Sequence, residues 1–283
     1  MQSKLQEERL DYLLREFKED SGRYRDMEVG EGYEDRRMAL RSLMNIRMPG
    51  KMKEDVLQVQ DDFLSEEARE KGIVTAEDIP TVKEQYGCDG LCAAKLSVWQ
   101  GDITRLAVDA VVNAANSQML GCFVPCHKCI DNAIHSAAGI QLREECSHYM
   151  RRKKIQYGPQ YEEPTGQAVL TKGYGLPAKH VIHTVGPIVR YCLMDGLRRD
   201  LENCYRNVLQ CCVENGIRTV AFCCISTGEF RFPNEEAAQI AVRTVLRFLE
   251  IHGQEFDRVI FNVFKDVDKE IYGKILKANS FRQ

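Results

Sequence analysis

The chain reads as an α/β protein, a layered sheet with helices on both faces, preceded by a helical N-terminal segment. From Ala94 onward, short apolar runs alternate with longer amphipathic stretches, the order that builds a sheet covered by helices. Residues 1–90 instead repeat apolar positions only at helical spacing. Three polar segments, QGDIT, NAANS and STGEFRFP, each follow a predicted strand. In open α/β sheets ligands bind beyond the carboxyl ends of the strands, so these loops together mark a candidate site.

In the N-terminal segment, Leu10, Leu13, Leu14 and Phe17 recur at i, i+3, i+4 and i+7. Leu40, Leu43 and Met44 predict a second helix, ended by Pro49-Gly50. Val56, Val59, Phe63 and Leu64 predict a third, with SEEAREKG as a capped turn ending at Gly72. Three such faces are too few for a core of their own, so the segment is expected to pack on the rest. The glycines of YGCDGLC (86–92) mark a joint, which divides the chain into 1–90 and 91–283. Beyond it, KLSVWQ and DAVVNAA read as strands, and a helix is expected from about Asp131 to Arg151. QAVLTKG and KHVIHTVG read as strands, and residues 195–215 carry Leu197, Leu201, Val208, Leu209 and Cys212 at helical spacing. RTVAFCCIS is a further strand, NEEAAQIAVRTVLRFLEIHG a helix ended by Gly253, and DRVIFNVF a last strand before a last helix.

The 283 residues, 44% hydrophobic and 29% charged, have the balance of a globular protein with a sizeable core. MQSKLQEERLDYLLREFKED has no uninterrupted apolar run, so no signal peptide is expected, and no segment approaches the ~20 apolar residues of a membrane span. Twelve cysteines in a chain of this length without a secretion signal are expected to stay reduced. Cytoplasmic location, no membrane partner and a monomer are the resulting expectations. The net charge of −3 hides an asymmetry: residues 1–90 carry 15 Lys and Arg against 22 Asp and Glu, the remainder 24 against 20. An anionic ligand therefore suits the second part, but a balance of +4 is too weak for a nucleic-acid surface.

The chemistry concentrates in 113–139. Cys122, Cys126, His127 and Cys129 fall within eight positions, and thiolate with imidazole is a ligand set that zinc selects. The spacing is not that of a zinc finger, whose ligand pairs lie far apart in sequence. One loop giving three ligands leaves a position for water or substrate. The same residues would also serve as ordinary reduced cysteines, which pack as small hydrophobes. Asp131 reads either as an N-cap or as a carboxylate able to orient or deprotonate water. His135, one turn on, is expected to touch it as a packed, hydrogen-bonded core histidine. His183 belongs to strand packing, and His148 and His180 to the surface.

Asn113 and Asn116 offer amides in a turn, suited to sugar hydroxyls or simply to turn formation. Asp102 could accept from an exocyclic amine or cap a short helix beginning at Ile103. Ser226, Thr227, Gly228, Glu229 and Phe230 join a buried strand to a helix begun near Pro233. Their backbone N–H groups could approach a diphosphate, or the loop could be an ordinary connection. Phe230 could stack on a ribose or cover the core.

GDIT, DAVVNAANS, the D-x-A-I-H-x-A-A-G helix, GYGLPAKHVIHTVGP and AFCCISTGEFRFP follow in the order of the motifs of a macrodomain, which this chain resembles from roughly Leu91 to Ala278. The resemblance implies a three-layer α/β/α sandwich that binds ADP-ribose, here with a helical N-terminal extension. Where most hydrolytic macrodomains have a run of glycines, this chain has GCFVPCHKCID. That replacement is similar to the microbial zinc-dependent macrodomains, which are protein-ADP-ribose hydrolases. It implies zinc on Cys122, His127 and Cys129, with Cys126 left over. It also implies adenine recognition at Asp102 and Ile103, and the distal ribose near Asn116, Cys122 and Asp131. The diphosphate would lie against Ser226 to Phe230. The implied substrate is a mono-ADP-ribosylated protein, an Asp or Glu ester first. The alternatives are a reader that binds ADP-ribose around a structural zinc, or a hydrolase of a free ADP-ribose derivative.

Overall fold

A computed structural model describes residues 3–90 and 92–278. The chain opens with helices α1 (Lys4–Ser21), α2 (Tyr33–Ile46) and α3 (Glu54–Glu70). Ser3 starts α1 by accepting from the Gln6 N–H, one of the donors that a helix start leaves unpaired. The predicted apolar positions are buried, with Val59 only partly so. Contrary to expectation, these faces pack mainly on one another. Leu10, Leu13, Phe17, Leu40, Val56 and Phe63 form a small core of their own, joined to the rest through Ile140. Polar side chains complete the docking: Gln60, 1% exposed, accepts from the Ile140 N–H (3.2 Å) and donates to Gln141 Oε1 (2.5 Å).

The first ninety residues are not wholly helical. Strand β1 (Val74–Thr75) precedes α4 (Val82–Tyr86), which Thr81 and Glu84 open with a reciprocal capping box. The predicted joint includes Leu91, which lies outside the described residues. Strands β2 (Leu96–Gln100), β3 (Leu106–Ala107) and β4 (Ala110–Ala115) follow, and β1 pairs in parallel with β3. Two residues carry no readable periodicity, which is why β1 escapes the sequence.

The helix expected from Asp131 to Arg151 is two helices, α5 (Ile130–Ala138) and α6 (Ile140–Tyr157). Gly139 separates them at φ 94°, ψ 173°, a conformation essentially confined to glycine. Next come β5 (Ala168–Lys172), β6 (His180–Val185), α7 (Asp195–Glu214) and β7 (Thr219–Phe222). The last elements are α8 (Asn234–His252), β8 (Arg258–Val263) and α9 (Asp266–Ala278). Pro233 stands at the N-cap of α8, one position before the helical position expected for it.

The main sheet has the order β2-β8-β7-β4-β6-β5, parallel except for the edge strand β5. Its two faces are covered separately. Phe222 and Phe261, paired in register, meet Tyr205 of α7 and Tyr272 of α9. Asn113 and His183, also in register, face α5 and α6. The chain turns from β4 first toward β6 and later back to β7, so the loops leaving β4 and β7 share one end of the sheet.

Replacing Gly139 with Ala forces a Cβ into that conformation, at 2.5 Å from Gln60 Nε2. Gly139→Ala should lower stability by about 1–3 kcal/mol. The expected reading is a reduced urea midpoint with an unchanged slope.

Candidate active site

Asn113 is not a turn residue. It is fully buried inside β4, where its Nδ2 donates to Asp131 Oδ1 at 2.8 Å and lies 3.1 Å from His183 Nδ1. Asn116 does form the expected turn, its Oδ1 accepting from the Gln118 N–H at 3.0 Å. Its Nδ2 donates to Asp131 Oδ2 (3.3 Å) and to the Gly121 carbonyl (3.2 Å). Each Asp131 oxygen thus holds one amide from the end of one strand. Asp131 is the second residue of α5 rather than its N-cap, because the chain is still extended at Cys129 and turns helical at Ile130. Cys129 takes the capping role, its Sγ accepting from the Asn132 N–H at 3.4 Å. Burial pushes the Asp131 carboxyl up to about 6, against the opposing pull of the Asn113 hydrogen bond and the Arg143 charge.

The donor atoms of Cys122, His127 and Cys129 lie within 4.8 Å of one another. His127 Nδ1 is buried without a hydrogen-bond partner among the described residues, while its Nε2 stands 3.9 Å from Glu229 Oε1. Two thiols and an orphaned imidazole nitrogen suit a soft divalent ion, so the residues fit zinc. Burial first, then Cys122 and Asp131, push the Cys129 thiol up to about 12, and the Asn132 N–H opposes them. Ligation as thiolate therefore displaces a proton. Cys126 points elsewhere, its Sγ 3.3 Å from Ser42 Oγ and 3.6 Å from the Met38 carbonyl on α2.

The loop after β7 lies on the other side of this cluster. Ser226 is buried at φ 66°, its Oγ without a partner among the described residues. A Cβ at Gly186 would sit 2.1 Å from that oxygen, so only glycine permits the approach. Thr227 Oγ1 donates to the Cys224 carbonyl (3.0 Å), Gly228 and Glu229 are exposed, and the Phe230 carbonyl accepts from the Val189 N–H (2.9 Å). The contact of Glu229 with His127 joins this loop to the thiol loop. At the end of β2, two strands along from β7, Asp102 Oδ1 caps the 3-10 turn Ile103–Arg105 by accepting from Thr104 N–H (3.0 Å) and Oγ1 (2.7 Å). Ile103 has its side chain in the core, leaving only its backbone for a ligand.

His135 is packed, but the hydrogen bond expected of it is missing. Its Nε2 is 3.5 Å from Asp131 Oδ1, and neither ring nitrogen has a hydrogen-bond partner among the described residues. His183 is satisfied: its Nδ1 accepts from Asn113, which assigns the proton to Nε2, 3.0 Å from Thr171 Oγ1. His135, Cys146 and His183 also bring donor atoms within 4.8 Å, all buried. His183 Nε2 also lies 3.7 Å from Cys146 Sγ, and burial disfavours the charged form of each of the three.

Arg143 of α6 also belongs to the site, although no motif marks it. Its guanidinium donates to the carbonyls of Leu120 (2.7 Å) and Cys122 (3.3 Å) and lies 4.2 Å over the Phe123 ring. It also donates to the carbonyls of Met44 (3.1 Å), Asn45 (2.7 Å) and Arg47 (2.7 Å). An arginine within a helix ordinarily faces water. The only hint in the sequence is its place beside Leu142, in the Leu142–Cys146–Met150 apolar row.

Burial lowers the His183 pKa to about 3 and moves His135 in the same direction. The unfolded chain binds these protons below about 6.5 and the native chain does not. Stability is therefore fully present above about 6.5 and falls as pH drops toward 3. Asp131 has the opposite sign between about 6 and 3.8, where the native state gains a proton that the unfolded state lacks. His183→Gln should flatten the acid-side loss by up to about 1.4 kcal/mol per pH unit. Urea titrations between pH 4 and 7 measure it, and an unchanged slope contradicts a neutral native His183.

The macro domain family model matches residues 112–241. A protein of Treponema medium named "Protein-ADP-ribose hydrolase" is 41% identical over 267 residues, 94% of this chain and 96% of its own length. A protein of the same name from Staphylococcus aureus (strain MRSA252) is 38% identical over 93% of both chains. These alignments are long enough to include most of the N-terminal helices. The crystal structure of a Trypanosoma brucei macrodomain in complex with ADP-ribose superimposes with a TM-score of 0.62 at 29% identity, covering 82% of this chain and 94% of that one. The chain belongs to the macrodomain family.

Proposed function

We propose that this protein removes mono-ADP-ribose from modified protein side chains by opening an Asp or Glu ester at the distal ribose. The observation that carries this reading is the meeting, at one end of the sheet, of a buried carboxylate, a sugar-compatible amide and a three-ligand cluster. The names of the relatives and the ADP-ribose held by the related Trypanosoma structure support it.

Cys122, His127 and Cys129 would hold zinc. When bound, the ion supplies positive charge that polarises oxygen and makes water more acidic, toward a pKa of ~7. Asp131, with one amide on each oxygen, is fixed in direction and has lone pairs left to orient a water and take its proton. A carboxylate raised to about 6 is a better base near neutral pH than an ordinary aspartate. Asn116 would hold a ribose hydroxyl beside it. Asp102 and the Ile103 backbone would take the adenine. Ser226 to Phe230 would take the diphosphate, with the buried, unpartnered Ser226 Oγ available as a donor. The protein would act in the cytoplasm, where its twelve free cysteines stay reduced. Among the described residues no helix is long and apolar enough to cross a membrane.

The test is ADP-ribose release from substrates carrying either an acidic-residue ester or an arginine linkage. Release from the ester alone is expected. Cys129→Ala should lose about 100-fold or more in turnover, the several kcal/mol a catalytic ion supplies. It should keep ADP-ribose affinity, because the adenine and diphosphate positions lie on other loops. Binding without turnover by the wild-type protein on both substrates would instead make it a reader, and loss of binding along with activity in Cys129→Ala would make the ion structural.

A further inference from the structure

The metal loop is held from outside itself. Between Asn116 and Cys129 the described backbone hydrogen bonds local to the loop are Met119 N–H to Asn116 (3.0 Å) and His127 N–H to Val124 (3.2 Å). Further polar groups of the loop are met by side chains from α2, α5 and α6. Arg143 takes the Cys122 carbonyl, and Arg41 of α2 reaches the His127 carbonyl at 3.4 Å. Asn45 Oδ1, also on α2, accepts from the Cys126 N–H at 2.9 Å, while its Nδ2 donates to Ser136 Oγ on α5 at 2.9 Å. Asn132 donates to the Val124 carbonyl (2.9 Å) and accepts from Arg41 (2.7 Å). Arg143 closes the circuit, because the guanidinium that holds the loop also binds three carbonyls at the C-terminal end of α2. That is the favourable end of a helix for a cation. Arg143 and Asn45 are both buried, so neither contact competes with bulk water.

We propose that Asn45 and Arg143 are positioning residues for the metal, and that α2 is the template on which the Cys122–Cys129 loop is set to its ligand geometry. The inference rests on the metal reading above. A loop already fixed by partners loses little conformational freedom when an ion enters, so its affinity depends on those partners. Removing the Asn45 side chain strands the Cys126 N–H next to His127 and loosens the loop at its central ligand. Removing the Arg143 guanidinium frees the Leu120 and Cys122 carbonyls together with the end of α2. A macrodomain lacking α2 would have to hold such a loop by other means. This assigns the N-terminal helices a chemical role in addition to a packing one.

The experiment measures zinc affinity by chelator competition, and the absorption bands of the cobalt(II)-loaded protein, for the full chain and three variants. Asn45→Ala and Arg143→Met should weaken zinc by about 10- to 100-fold, the loss expected when outer-shell support of ligands is removed. Their cobalt ligand-field bands should shift. Gln60→Leu cuts another buried contact between the N-terminal helices and α6 without touching the loop. It should keep wild-type affinity and spectrum even if it melts earlier. Wild-type affinity and bands in Asn45→Ala would overturn the proposal, and this variant decides alone if Arg143→Met does not fold. Equal weakening by Gln60→Leu would also overturn it, showing only that stability is lost. If the wild-type chain takes up neither ion, the metal reading itself falls and this inference with it.

Discussion

The buried carboxylate of Asp131 is the constraint that the site is built around. At 5% exposure its charge is costly unless hydrogen-bonded. Asn113 and Asn116 answer that cost, one amide to each oxygen. One comes from within β4 and the other from the residue that follows it, three positions on, so one central strand aims the carboxylate. His135 and His183 lie beneath it and stay neutral, and Arg143 supplies a distant balancing charge. The compensation is incomplete. Asn113 Oδ1 and both ring nitrogens of His135 are buried without hydrogen-bond partners among the described residues. Such local deficits are what a site organised for reaction rather than for stability carries.

The loops that leave β4 and β7 meet at one end of the sheet because of the strand order. β4 and β7 are neighbours although more than a hundred residues separate them, which sets the thiol loop beside Ser226–Phe230. The pair His127–Glu229 marks where they meet. A pair this exposed adds little stability.

Much of this fold was legible because it rests on periodicity. Leu10, Leu13, Leu14 and Phe17, or Val181 and Val185 around His183, announce their element and its buried face. Spacing drew attention to Cys122, Cys126, His127 and Cys129 together, and the resemblance to a macrodomain, carried by motif order, singled out the three whose donor atoms lie within 4.8 Å of one another. What stayed hidden depends on contacts distant in sequence. Asn113 looks like a turn asparagine until β4 and β6 enclose it. Gly139 interrupts what hydrophobic spacing reads as one helix, because a single φ near +90° leaves no periodic trace. Arg143 and Asn45 are 98 residues apart, and no local pattern joins an arginine on one helix to the end of another. The three N-terminal faces were read correctly as helical, yet their packing on one another was not, since periodicity tells which side is apolar and not what it meets.

The proposed reaction requires an ion held by Cys122, His127 and Cys129 next to the Asp131 carboxylate. The most direct measurement is elemental analysis of the full-length protein, purified under reducing conditions without added metal. One zinc per chain, absent from Cys122→Ser, is the predicted result. Protein that is folded and binds ADP-ribose yet contains no metal, and gains none on dialysis against zinc, would contradict the central claim.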